Sequence, residues 1–196
     1  MSPTHAATTT TPDGPFAVLV DGGSVLASGW TEEVALLVAL VHPSLRPAPD
    51  DVVTDGAAHR AATGPVLAAV AAYYDGDLAA PGTVPVRQRS GDFRQHAWSV
   101  LRTVGAGERI SYAEYARRAD RPAAIRAAAA ACAANATALF VPCHRVLRSD
   151  GSLGGFRYGL DIKQRLLERE RPTSARGSDE RTTIGHARAH VYHGRG

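Results

Sequence analysis

The segment Ile110–Asn135, ISYAEYARRADRPAAIRAAAAACAAN, leaves few folds open. Ser111 and Glu114 have the spacing of a capping box, which opens a short helix. Asp120 can cap a second helix, with Pro122 in its first turn. That helix should run to about Asn135, a residue type that tolerates the left-handed conformation at a helix end. Two helices joined by three or four residues predict a helix-turn-helix. The second helix is almost all alanine and carries one long side chain, Arg126. Helix propensity alone accounts for its alanines.

The flanking chain has a different character. PFAVLVDGGSVLASGW reads as two strands around Asp21-Gly22-Gly23. Thr31, Glu32 and Glu33 open a helix, TEEVALLVALV, that stops near His42-Pro43. GPVLAAVAAYYDGD predicts another, with Pro65 in its first turn and Asp75-Gly76 as its stop, and TVPV predicts one more strand. Residues 15–86 therefore predict a small α/β domain. Residues 87–171 predict a mainly α domain, with FRQHAWSVLRTV before the helix-turn-helix and LDIKQRLLERE closing it. Residues 1–14, rich in threonine, and the tail 172–196 are expected to be disordered. His186, His190 and His193 in that tail could bind a stray metal ion, but a metal site needs a defined geometry, and none is expected there.

Charge follows the same division. Residues 1–86 hold two basic and nine acidic side chains, whereas residues 87–171 hold sixteen and eight. A basic half of this kind suits a polyanion such as nucleic acid. No apolar run is long enough to span a bilayer. The N-terminus has no basic stretch followed by an apolar one, so the expectation is a cytoplasmic, monomeric protein. Cys132 and Cys143 are the only cysteines, too few for a disulfide framework and without zinc-ligand spacing.

Cys143 lies in VPCHRVLRSDGSLGG. A buried structural thiol is the ordinary reading of such a residue. Against it, Pro142 restricts the backbone just before the cysteine, and His144 and Arg145 follow, a field that favours thiolate. These residues alone leave both readings open.

PCHRV at 142–146 resembles the active-site signature of the O6-alkylguanine-DNA alkyltransferases, which repair DNA by direct reversal. FRQHAWSVLRTVGAGERISYAEYA, RPAAIRAAAAACAAN, FVPCHRVLRSDGSLGGFRYG and KQRLLERE resemble family segments in order and at family spacing, most like the bacterial forms. The resemblance is strong from Phe93 to Glu170 and weaker from Phe16 to Arg87. It implies a ribonuclease H-like N-terminal domain and a winged-helix-like C-terminal one. It implies one-step transfer of an alkyl group from guanine O6, with thymine O4 as a further target, to Cys143, once per molecule and without cofactor. His144 would deprotonate the thiol and Glu170 would hold the imidazole. Asn135 would fix the turn that carries the cysteine, and Lys163 matches the lysine of the final helix. Tyr112 would donate to the purine. Val146, through its carbonyl, and Arg157, through the Gly-rich loop, would meet the extruded base. On the DNA side, Arg126 would fill the gap in the stack. Ala127, Ala130 and Ala131 would let the helix approach the narrow minor groove, and Arg121 and Ser149 would make further contacts. The partner implied is double-stranded DNA carrying O6-alkylguanine. Some family members bind zinc in the N-terminal domain; with no cysteine before residue 132, no such site is expected here.

Two other readings fit this architecture. A protein that binds alkylated bases without repairing them would lack the cysteine that stands here at position 143. A transcription regulator would need more side chains for base edges than the alanine helix offers.

Overall fold

The computed structural model describes residues 3–172. Strands β2 (Gly14–Asp21) and β3 (Ser24–Gly29) form the expected hairpin. It turns where Gly22 and Gly23 adopt positive φ, a conformation that costs glycine nothing. Strand β1 (Thr4–Thr11) pairs antiparallel with β2 from His5 to Thr11, and β4 (Val52–Val53) adds beside it in parallel. The order is β3-β2-β1-β4. The expectation of disorder for residues 1–14 is thus corrected for residues 4–14. The threonine run is β-branched, which suits a strand, and Thr8 and Thr10 expose one side of it. Low complexity had hidden that pattern.

Both faces of the sheet are covered. Phe16, Val18 and Val20 point to α2 (Gly56–Tyr74), which buries Val66, Val70 and Tyr73 against them. Ala17 and Leu19 point the other way, where α1 (Val34–Leu40) places Leu37, followed by Val41. Period-two alternation puts the two sets on opposite faces. Pro65 lies in the interior of α2, not in its first turn. The helix starts earlier, at Gly56, because GAAHRAAT holds no large apolar residue to announce it. After the single turn α3 (Ala80–Thr83), Val86 bridges to Val25, so the expected TVPV strand is reduced to a short contact on the β3 edge.

The second half contains α4 (Asp92–Leu101), β5 (Ile110–Ser111), α5 (Tyr112–Arg118) and α6 (Ile125–Ala133). A 3-10 turn (Cys143–Arg145), β6 (Val146–Leu147) and α7 (Leu160–Arg169) complete it. Half of the capping box forms. Ser111 Oγ accepts from the Glu114 amide at 3.1 Å, but the Glu114 carboxylate pairs with Arg117 and Arg118 instead of reaching back. Helix α6 begins at Ile125, later than Asp120 and Pro122 suggested, because Asp120 takes a left-handed φ of 58° and extends the turn. Trp98 donates to the Ala131 carbonyl at 2.9 Å and locks α6 onto α4.

The two halves are not separate bodies. Leu139, Phe140 and Leu166 lie in the same core as Phe16, Val18 and Tyr73. The outer edge of β3 also receives residues 136–138: Ser28 donates its amide to the Ala136 carbonyl and its hydroxyl to the Ala138 carbonyl, each at 2.8 Å. The segment leading to Cys143 is therefore anchored on the N-terminal sheet. No helix among the described residues is long and apolar enough to cross a membrane.

Candidate active site

Asn135 organises the approach to Cys143. Its Oδ1 accepts from the Thr137 amide at 3.1 Å and from Gln88 Nε2 at 3.1 Å. Its Nδ2 donates to the Val141 carbonyl at 2.8 Å and to Cys143 Sγ at 3.3 Å. The chain folds tightly between these contacts, with Leu139 in a left-handed φ of 74° and the Val141 amide bonded to the Thr137 carbonyl. Such a backbone costs a leucine about 1–3 kcal/mol and persists only where its surroundings fix it. Gln88 was not foreseen: it also donates to Thr137 Oγ1 at 2.9 Å and accepts from the Ala136 amide at 2.8 Å.

Behind the cysteine, His144 is fully buried and its Nε2 lies 3.0 Å from Glu170 Oε1. Glu170 caps the end of α7 and is itself buried. Arg145 grips the same carboxylate, Nε to Oε2 and the terminal nitrogen to Oε1, both at 2.8 Å, and donates to the Val104 carbonyl. Tyr73, from α2, donates to Oε1 at 3.0 Å. Burial alone would raise the Glu170 pKa; His144 and the Arg145 guanidinium outweigh it and hold the group well below the ordinary carboxylate range. An ionised Glu170 accepts from Nε2–H, which leaves His144 Nδ1 as the basic nitrogen. That atom is buried and has no hydrogen-bond partner among the described residues. Burial pushes the imidazole pKa down, with Glu170 opposing.

Burial likewise raises the Cys143 thiol, against the Asn135 N–H and the charges of Lys163 and Arg157. The resting pair is therefore thiol and neutral imidazole. This corrects the expectation that Arg145 favours thiolate directly: its guanidinium turns away from the sulfur and serves Glu170.

Cys143 opens onto a cavity of about 420 Å³, lined also by Tyr112, Asn135, Phe156, Arg157 and Tyr158. Burial first, then the two cysteines, raise the Tyr112 pKa, so its hydroxyl remains a donor. Arg157 reaches across to the Ala133 carbonyl at the end of α6, at 2.5 Å. Cys132, read from sequence as packing, also lines this cavity, though burial holds it protonated. Val146 is fully buried and outside the cavity lining, and its carbonyl accepts from Lys163 Nζ at 2.8 Å. Lys163 is buried and bonds a second carbonyl, that of Leu153. A buried ammonium needs such acceptors, so the lysine ties β6 to the Gly-rich loop and acts on the sulfur only through its charge.

Helix α6 exposes Arg126, Ala127, Ala130 and Ala133. Arg126 makes no hydrogen bond or ion pair among the described residues. Ala131 is fully buried, which corrects its expected place on this surface. With alanine at nearly every position, the sequence carries no contrast from which the helix phase could be read. Arg121 and Ser149 are exposed, as a contact surface requires.

The sequence model described as the DNA-binding domain of 6-O-methylguanine DNA methyltransferase matches residues 92–172. The Escherichia coli "Bifunctional transcriptional activator/DNA repair enzyme Ada" is 48% identical over 90 residues, 46% of this chain and 25% of that protein. The chain thus spans a quarter of that relative's length. A Shigella flexneri methylated-DNA–protein-cysteine methyltransferase is 31% identical over 163 residues, 82% of this chain and 91% of that one. The crystal structure of Mycobacterium tuberculosis OGT in complex with DNA superposes with a TM-score of 0.67 at 27% identity, covering 87% of this chain and 97% of the other. By sequence over most of its length and by fold, the chain belongs to the methylated-DNA–protein-cysteine methyltransferase family.

Proposed function

We propose that this protein repairs DNA by direct reversal, moving an alkyl group, methyl in the simplest case, from guanine O6 to Cys143. The observation that carries the reading is Cys143 in the wall of a cavity of about 420 Å³, bonded by Asn135 and followed in the chain by the buried His144–Glu170 pair. The thiol proton passes to His144 Nδ1, and Glu170 stabilises the imidazolium that results. The sulfur attacks the alkyl carbon as its bond to O6 breaks. That bonding pair enters the purine, which takes a proton from Tyr112; the tyrosine regains one from solvent, and His144 returns to solvent the proton it took from sulfur. In net terms, the proton lost by sulfur replaces the alkyl group on guanine. The thioether formed has no proton to give and no partner to displace it, so each molecule acts once. The test is stoichiometry. Guanine restored in the duplex should plateau at one per protein with excess substrate; continued turnover would overturn the reading.

The target lies inside the stack, so the nucleotide must turn out. The exposed alanines allow α6 to enter the minor groove and Arg126 to occupy the gap. Arg126→Ala should slow transfer from duplex O6-methylguanine at least tenfold more than transfer from free O6-benzylguanine. Equal losses would remove Arg126 from this role. The sheet layer is read as ribonuclease H-like and the helical half, with its short β5–β6 pair, as winged-helix-like. A cytoplasmic monomer that joins the nucleoid when bound to DNA fits this function.

A further inference from the structure

A second cavity, of about 260 Å³, opens between the two halves. Arg87, Arg89, Arg94, Arg157 and His42 line it, with Gln88 and Ser90, and no Asp or Glu does. Arg87 pairs with Asp21, which lies outside the lining, and Arg94 donates to Ser90 Oγ at 3.0 Å. Arg89 is exposed and bonds no other described residue. Four guanidiniums around one concavity repel each other, and their forked donors match the oxygens of a phosphate or a carboxylate.

The cavity's position narrows the choice further. Arg157 is common to its wall and to the wall of the Cys143 cavity, and Gln88 lines it while holding Asn135. Ala134, just beyond the last turn of α6, completes it. The two walls meet at Arg157 and at the end of α6, Ala133 lining one cavity and Ala134 the other, so the second cavity stands within one nucleotide's reach of the first. We propose that the cavity receives one phosphodiester of the lesion-bearing strand, beside the extruded nucleotide. This rests on the reading of the protein as a DNA alkyl acceptor. It adds a second anchor, from the junction of the halves, to the contacts of α6.

The test replaces backbone phosphates around O6-methylguanine by neutral methylphosphonates, one position at a time. Transfer to wild-type protein should slow about tenfold at one position next to the lesion. In Arg89→Ala/Arg94→Ala that position should become silent. The variant's ratio of duplex rate to free O6-benzylguanine rate should fall at least tenfold, and its salt slope by about one, for the one phosphate lost. A wild-type profile with no sensitive position, or one unchanged in the variant, would overturn the proposal. Inorganic phosphate that raises the melting temperature of wild type but not of the variant, without a sensitive DNA position, would assign the cavity to a free anion and also overturn it. Wild-type protein that reacts with neither duplex nor free base would sink the repair reading itself, a result distinct from these.

Discussion

Glu170→Gln is expected to slow alkyl transfer at least 100-fold at neutral pH while the protein still folds. The carboxylate is the one group that both orients His144 and stabilises it once protonated, and positioned acid–base catalysis contributes roughly 10²–10⁴-fold. With the base lost, the residual rate should climb as pH rises and the Cys143 thiol ionises unaided. Glu170→Ala goes further. It leaves the buried Arg145 guanidinium without its partner, a loss worth about 3–5 kcal/mol of stability. The two variants separate chemistry from folding. The pH dependence of stability follows from the same group. Glu170 has a lower pKa folded than unfolded, so its contribution is fully present above the unfolded carboxylate value of about 4.3 and is lost as pH falls below it. Thermal unfolding followed from pH 7 downward should show that loss in the wild type and a flatter curve in Glu170→Gln. Matching curves, or an unaffected transfer rate at pH 7, would contradict the assigned role.

Gly29→Ala, far from Cys143 in sequence, is expected to disable the substrate cavity. A Cβ at Gly29 would stand 1.9 Å from Tyr158 Cζ and 2.0 Å from its hydroxyl oxygen. Tyr158 cannot simply yield. It donates to the Ser28 carbonyl at 3.0 Å and stacks edgewise on Trp30 and Phe156. Tyr158 and Phe156 also line the cavity on either side of Arg157. The ring must move, and the Gly-rich loop must move with it. Overpacking of this kind costs about 1–3 kcal/mol. Transfer from both duplex and free base should drop at least tenfold, because the cavity wall serves both. Tyr158→Ala in the same chain should recover stability relative to Gly29→Ala alone. An active, fully stable Gly29→Ala protein would show that the loop does not depend on the sheet.

Cys143, His144 and Glu170 were proposed from the sequence through the family resemblance, since the residues alone left Cys143 open and read Glu170 as an exposed acid. The groups that hold them were not. Gln88 meets Asn135 across 47 positions, and Tyr73 meets Glu170 across 97; one chain read alone shows no link at such separations. Arg145 stood in plain view, but its side chain turns inward to Glu170, a choice set by burial and not by adjacency. The hairpin at Gly22-Gly23 and the closing helix α7 announced themselves by turn chemistry and periodicity. Strand β1 did not, since a threonine run resembles low-complexity sequence until a neighbour is there to pair with it. The phase of α6 was likewise invisible, and so Ala131 was assigned to the wrong side.

The central claim is that Cys143 is an alkyl acceptor consumed by its reaction. It is tested most directly by incubating the protein with duplex DNA carrying isotopically labelled O6-methylguanine and mapping the label by peptide mass spectrometry. One labelled methyl per molecule, on Cys143 and absent from a Cys143→Ser variant, is the expected result. Label on Cys132, which shares the cavity, or label released as methanol, would contradict it.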